Sequence, residues 1–183
     1  MSTRSRHPHA LDAATAAVVV VDLQEAFRDH IHHFNQIVVR TTIVVEAAKL
    51  LRIPVLATEQ YPQRLGATVP EIKAALPSDI VIGDKTAFSS CGCEPFITQL
   101  KQSPNVRQIL LCGIETHVCV LQTALDLLAL GFRVYLPVDA VSARYRLDHD
   151  VALRRLEQAG AVLTTTEGCL FEWVGGAGHP HFK

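Results

Sequence analysis

Aromatic residues are scarce in this chain, at 6% of the total, with a single Trp. A core of ordinary size must therefore be built from Val, Leu, Ile and Ala, the bulk of a 49% hydrophobic share. Charge of one sign is lacking as well: 17 basic residues face 18 acidic ones, for a net charge of −1. Such a balance advertises no basic face, so neither nucleic acid nor an anionic membrane is expected as a partner. No apolar run nears the roughly 20 residues that a membrane-spanning helix needs. Five cysteines, an odd number without regular spacing, make no disulfide framework. They suit reduced thiols in a reducing, cytoplasmic compartment. Met1 to Ala10 carries Arg4, Arg6, His7 and His9 but lacks the apolar centre of a secretory signal. This segment reads as a frayed terminus, with organelle targeting left open.

Several motifs are missing too. No Gly-x-x-x-x-Gly-Lys-Ser/Thr loop accompanies Val18–Asp22, which excludes a nucleotide-hydrolysing strand there. Without a Gly-x-Gly-x-x-Gly after a strand, dinucleotide binding is unsupported. Without a Gly-x-Ser-x-Gly elbow, so is a serine hydrolase.

What is present is an alternation of short β-branched runs with longer helical stretches, the signature of repeated βαβ units. At 183 residues the chain fits one domain, with a core expected over about 16–167. Strands are expected at 16–21, 53–57, 79–82, 106–112, 132–136 and 161–165. Helices are expected at 37–51, near 70–75, and at 94–102, 116–130 and 148–159. Gly131 and Gly160 stand where helices commonly stop. The tail beyond Gly175 is expected to wander over the surface. Six strands joined by helices predict an α/β fold, a doubly wound parallel sheet with helices on both faces. In such sheets ligands bind beyond the carboxyl ends of the strands.

Three reactive side chains stand at those ends. Asp22 terminates the first strand, Lys85 follows the third, and Cys119 lies in the first turn after the fourth. If the first and fourth strands are neighbours, about 4.8 Å apart, Asp22 and Cys119 come within reach of each other. Lys85 can span a further strand on its long stem. A thiol must lose its proton to act as a nucleophile. A helix N-terminus and a nearby ammonium are expected to lower its pKa, and a carboxylate can take the proton and later return it. The first-turn amides from Glu115 to Cys119 are placed to hold a developing oxyanion.

These residues resemble a known family. Val18-Val19-Val20-Val21-Asp22-Leu23-Gln24-Glu25-Ala26-Phe27, Lys85-Thr86-Ala87-Phe88-Ser89 and Leu111-Cys112-Gly113-Ile114-Glu115-Thr116-His117-Val118-Cys119-Val120 are similar to motifs of the isochorismatase-like cysteine hydrolases. Thr58-Glu59-Gln60-Tyr61-Pro62 with Gly66 resembles the isochorismatase domain-containing subgroup. The resemblance runs from about Ala16 to Glu167. It implies a six-stranded parallel sheet, and a catalytic triad of Asp22, Lys85 and Cys119. It also implies a cis peptide between Ile114 and Glu115 that turns the Glu115 amide toward the oxyanion beside that of Cys119. Homo-oligomerisation is carried over in the same way. The family's nicotinamidases carry an Asp-x-His metal motif where this chain reads Thr58-Glu59-Gln60-Tyr61, so no metal or other cofactor is expected. Members that cleave isochorismate tend to lack the cysteine that this chain has at Cys119, which points away from that substrate.

Other groups have plainer readings. His30, His32, His33, His179 and His181 read as surface histidines rather than metal ligands. Cys91-Gly-Cys93 falls one residue short of a redox pair and reads as a loop near the pocket. His117 is placed as a pocket-lining residue, with a proton-carrying role as the alternative. Phe27, Tyr61 and Phe88 are placed as an apolar wall for substrate, with core packing as the alternative. The expected activity is metal-independent hydrolysis of a small amide, carbamoyl or related carbonyl compound through a thioester on Cys119. A catalytically silent binding or scaffolding subunit is the rival.

Overall fold

The computed structural model describes residues 6–182. Its first strand, β1 (Ala16–Val21), is buried along its whole length. Alternation divides it between two cores: Ala16, Val18 and Val20 face one side, Ala17, Val19 and Val21 the other. Such two-sided burial is what an unbroken β-branched run dictates in a parallel sheet. Each valine so buried contributes roughly 1.5–3 kcal/mol.

The chain continues through α1 (Phe34–Leu50), β2 (Val55–Gln60), α2 (Pro62–Leu65), α3 (Pro70–Ala75) and β3 (Gly83–Lys85). Next come α4 (Glu94–Lys101), β4 (Gln108–Ile114), a π-helical turn at Thr116–Val120 and α5 (Leu121–Ala129). The last elements are β5 (Arg133–Pro137), β6 (Val141–Ser142), α6 (Arg146–Gln158), β7 (Val162–Thr164) and α7 (Thr166–Val174). The main sheet runs β3-β2-β1-β4-β5-β7, and its pairings are parallel throughout. Strand order reverses between β1 and β4, which pair directly from Ala16↔Gln108 to Val21↔Gly113. Helices α1, α3 and α7 supply Val44, Ile72 and Trp173 to one core. Helices α4, α5 and α6 supply Phe96, Leu127 and Leu156 to the other.

Several sequence expectations need correction. The third strand lies at Gly83–Lys85 rather than 79–82. Ile80 and Ile82 are drawn onto the core while Val81 is exposed, and the ladder to Thr58–Gln60 begins only at Gly83. Lys85 is thus a strand residue. β2 reaches three residues past its expected end and β4 two past its own. A seventh, two-residue strand, β6, pairs with Gly113 and Ile114. Between the last expected strand and the tail, where no element was expected, Thr166 begins α7, which Thr165 caps by accepting from the Gly168 amide at 3.2 Å. Nor do residues 6–10 fray: Arg6 donates to Glu172 O (2.9 Å), Arg133 to Pro8 O (2.7 Å) and Gln108 to Ala10 O (2.9 Å). Arg4 lies outside the described residues. Among the described residues no helix is long and apolar enough to cross a membrane.

Gly113 makes the close approach of β4 to β1 possible. Its φ is +119°, and a Cβ there would sit 2.1 Å from Val21 O, backbone that cannot yield. Gly113→Ala should therefore cost about 3–5 kcal/mol or abolish soluble expression. Denaturant unfolding checks this; a variant as stable as wild type would contradict the packing.

Candidate active site

β1 ends by handing the chain to Asp22, whose φ of +53° turns it out of the strand. The Asp22 amide still donates to Thr58 O at 3.1 Å, so the turn is anchored to β2. Its carboxylate is 1% exposed and both oxygens are engaged: Oδ1 accepts from Thr58 Oγ1 at 2.9 Å, Oδ2 from Lys85 Nζ at 2.7 Å. Lys85, 3% exposed, reaches inward from the edge strand β3. Its ammonium also donates to Gln60 Oε1 (2.6 Å), Phe88 O (3.0 Å) and Ala87 O (3.3 Å). A buried ion pair is tolerable when further hydrogen bonds satisfy what the partners leave over. Here they do.

Cys119 stands in the π-helical turn after β4 and is 7% exposed. Its Sγ lies 3.9 Å from Gln60 Oε1 and interacts with both Asp22 and Lys85. The structure thus brings together the three side chains that stood at strand ends in the sequence. Burial pushes the thiol up to about 12, the Asp22 charge pushes the same way, and Lys85 offsets only part of the rise. The expected lowering is overturned: at neutral pH the resting sulfur keeps its proton, because desolvation and the Asp22 charge together outweigh the ammonium. Burial also raises the Asp22 carboxyl, with Lys85, Cys119 and Thr58 pulling it back. A raised carboxyl is a stronger base.

Around the thiol the backbone is irregular. The Ile114–Glu115 peptide is cis. Glu115 O accepts from the amides of Val118 (3.0 Å) and Val120 (3.1 Å) and not from the Cys119 amide between them. The Glu115 side chain is clamped by Arg144, whose amide (3.1 Å) and guanidinium (2.7 Å) both donate to it. Burial raises the Glu115 carboxyl, but these bonds outweigh it and hold the group below its usual range.

Gln60 is a site residue that the sequence reading missed. Beyond its contacts with Lys85 and Cys119, its backbone is held by the fully buried Gln24. Gln24 Oε1 accepts from Gln60 N at 2.7 Å, and its Nε2 donates to Gln60 O at 3.0 Å. The rule that ligands gather beyond strand ends would have found Gln60 had β2 been given its full length.

The remaining candidates scatter. Tyr61 and Phe88 are exposed, and Phe27 packs against the core beneath α1. His117 turns toward α6, with Nε2 3.8 Å from Asp148. Cys93 is buried, with Sγ 3.5 Å from Asp84 O. Cys91 lines a cleft of about 610 Å³ between α4 and α5, and Cys119 is not among its lining residues. Both cysteines of the Cys-Gly-Cys loop pack against the same core as Cys119, Cys93 buried within it and Cys91 at its edge. His32 and His33 line another cleft, of about 410 Å³. Among the described residues no group of three or more His, Cys, Asp or Glu is gathered to hold a metal.

A doubly wound parallel sheet with such residues at the carboxyl ends of its strands defines an α/β fold of the isochorismatase type. Residues 16–168 match the family model described as the isochorismatase domain, and the chain belongs to that family. It is 46% identical over 170 residues to isochorismatase domain-containing protein 2 of Bos taurus, spanning 92% of this chain and 80% of that protein. Among solved structures, the Mar1 ribonuclease of Caenorhabditis elegans superposes with a TM-score of 0.89 at 45% identity, covering 94% of this chain and 88% of that one. YcaC from Pseudomonas aeruginosa, with hexane-2,5-diol and covalent acrylamide, has a TM-score of 0.85 at 25% identity, covering 94% and 86%.

The Asp22–Lys85 pair makes a stability prediction. In Lys85→Met the carboxylate would be buried without its cation, a loss of about 3–5 kcal/mol at neutral pH. Without the ammonium the folded-state pKa rises further above 3.8, so the folded form holds its proton longer than the unfolded chain. Stability of the variant should thus recover as pH falls through that raised value toward 3.8. Unfolding from pH 8 to pH 5 checks the sign; a deficit constant across the range would argue against a buried charge.

Proposed function

We propose that the chain is a metal-independent cysteine hydrolase of small amide, carbamoyl or related carbonyl compounds. The observation that carries this reading is the convergence of Cys119, Asp22 and Lys85, with Cys119 only 7% exposed. Such burial favours a small substrate over a polymer chain. The net charge of −1 also gives no electrostatic support to an RNA substrate, despite the ribonuclease name of the Caenorhabditis elegans protein.

In the proposed reaction, Cys119 passes its proton to Asp22 as the sulfur bonds to the carbonyl carbon. The carbonyl oxygen becomes an oxyanion facing the amides of Glu115 and Cys119. Lys85 keeps Asp22 ionised and oriented before the transfer. Collapse breaks the bond to the leaving nitrogen, which takes the proton back from Asp22 and departs. A thioester remains. Water then gives a proton to Asp22 and attacks the thioester carbon; the acid leaves and the proton returns to sulfur. Covalent acrylamide in the Pseudomonas aeruginosa relative is in keeping with a reactive nucleophile in this fold. Five cysteines without a disulfide among them suit a reducing, cytoplasmic setting. Tyr61, Phe88 and His117 remain candidates for substrate contact at the rim, and a homo-oligomer the expected assembly.

A panel of small amides and carbamoyl compounds tests the proposal. Turnover should fall by on the order of 10³-fold or more in Cys119→Ala and in Asp22→Asn. Intact mass should show an acyl adduct on wild type alone. Silence of the folded wild type across the panel would instead favour the scaffolding subunit.

A further inference from the structure

The oxygen of Asp22 turned away from Lys85 is the end of a line of buried hydroxyls. Thr58 Oγ1 lies 2.9 Å from Asp22 Oδ1 and 3.3 Å from Ser90 Oγ, and Thr123 Oγ1 lies 3.3 Å from Ser90 Oγ. Thr123 Oγ1 also accepts the Ser90 amide at 2.8 Å. Thr58, Ser90 and Thr123 are no more than 1% exposed, so the line is closed to water. They come from three elements: the end of β2, the turn after β3 and the helix that follows the nucleophile. Thr123 stands four residues after Cys119, on the same helical face.

The direction of the line follows from counting protons. A hydroxyl has one to donate, and an ionised carboxylate only accepts. The proton of Thr58 is committed to Asp22, so Ser90 must donate to Thr58. Thr123 must then donate to Ser90. Every dipole points its positive end at Asp22. Bonds aligned in this way polarise one another in a dry interior. Because the line ends at Thr123 without reaching solvent, it cannot carry a proton in or out.

We infer that Thr58, Ser90 and Thr123 are positioning residues that act through Asp22, a one-way line of hydroxyl donors that keeps its carboxylate ionised until the thiol proton arrives. The inference rests on the reading of Asp22 as the base for Cys119. It adds three residues to the machinery that touch neither sulfur nor substrate.

The test is the pH profile of Cys119 alkylation by iodoacetamide in the full chain, read at the midpoint of its acid limb. Asp22→Asn should abolish that limb. Ser90→Ala, which deletes one hydroxyl and leaves Thr58 bonded to Asp22, should move the midpoint up. Thr58→Val should move it further, by about one pH unit, since a hydrogen bond to a charged group is typically worth this much. Thr123→Val should shift it the same way by less, and Thr58→Ser should restore the wild-type value. If Asp22→Asn abolishes the limb while every hydroxyl variant titrates like wild type, the line is structural only and the inference falls. If Asp22→Asn leaves the limb in place, the reading of Asp22 as base falls instead. Should Thr58→Val not fold, Ser90→Ala decides the matter alone.

Discussion

Two opposite charges are buried together at the carboxyl edge of the sheet, and the geometry of the site follows from the need to satisfy them. Lys85 and Asp22 sit 2.7 Å apart with side chains 0% and 2% exposed. Neither could be left there alone, since removing one partner strands the other in a low-dielectric interior. The surrounding chain is accordingly arranged around them. Gln60 turns its amide oxygen to the ammonium, residues 87 and 88 offer carbonyls, and Thr58 closes the far oxygen of the carboxylate. Gln24 in turn fixes Gln60 by both backbone groups and ties down the loop at Gly66, whose carbonyl accepts its Nε2 at 2.6 Å. Edge strand, loop and central strand are thus held in one register by polar contacts, where the apolar core alone would permit sliding.

Much of this was legible in the sequence, and the reason is specific. Four consecutive valines before Asp22 have few homes except a strand buried on both faces, so the position of Asp22 was fixed by its neighbours. The same holds for Gln108–Ile114 ahead of Cys119. The failures lie where hydrophobicity stops being informative. β2 ends in Thr58-Glu59-Gln60, polar residues that pattern reading assigns to a loop, yet they complete the ladder to β3 because functional groups occupy strand ends. Truncating the strand there hid both Thr58 and Gln60. Conversely Ile80-Val81-Ile82 has the composition of a strand but serves as a cover for the core. β6, with two residues, is too short for any periodicity.

The pKa of the nucleophile was misread for a related reason. A helix terminus and an ammonium are visible as sequence features, whereas depth is not. Once the thiol is enclosed, loss of water dominates, and Asp22 works against ionisation rather than for it. In the proposed reaction this changes what each partner does. The thiol is not stored as an anion. Its proton has to leave while the sulfur bonds to carbon, which ties nucleophile formation to the presence of a carbonyl compound.

A high pKa by itself does not mark the proposed nucleophile. Cys169 is also buried and pushed up to about 12, and Cys91 to about 11. The nearest side-chain partner of Cys169 is the hydroxyl of Thr164 at 3.8 Å, whereas Cys119 faces a carboxylate and its ammonium. What separates these cysteines is therefore a base within reach, not a difference in acidity. Since thiolates are the forms that oxidise, the burial that raises Cys91, Cys112, Cys119 and Cys169 also protects them. In the proposed reaction Cys119 leaves its protonated state through Asp22, when a carbonyl compound can take the electron pair.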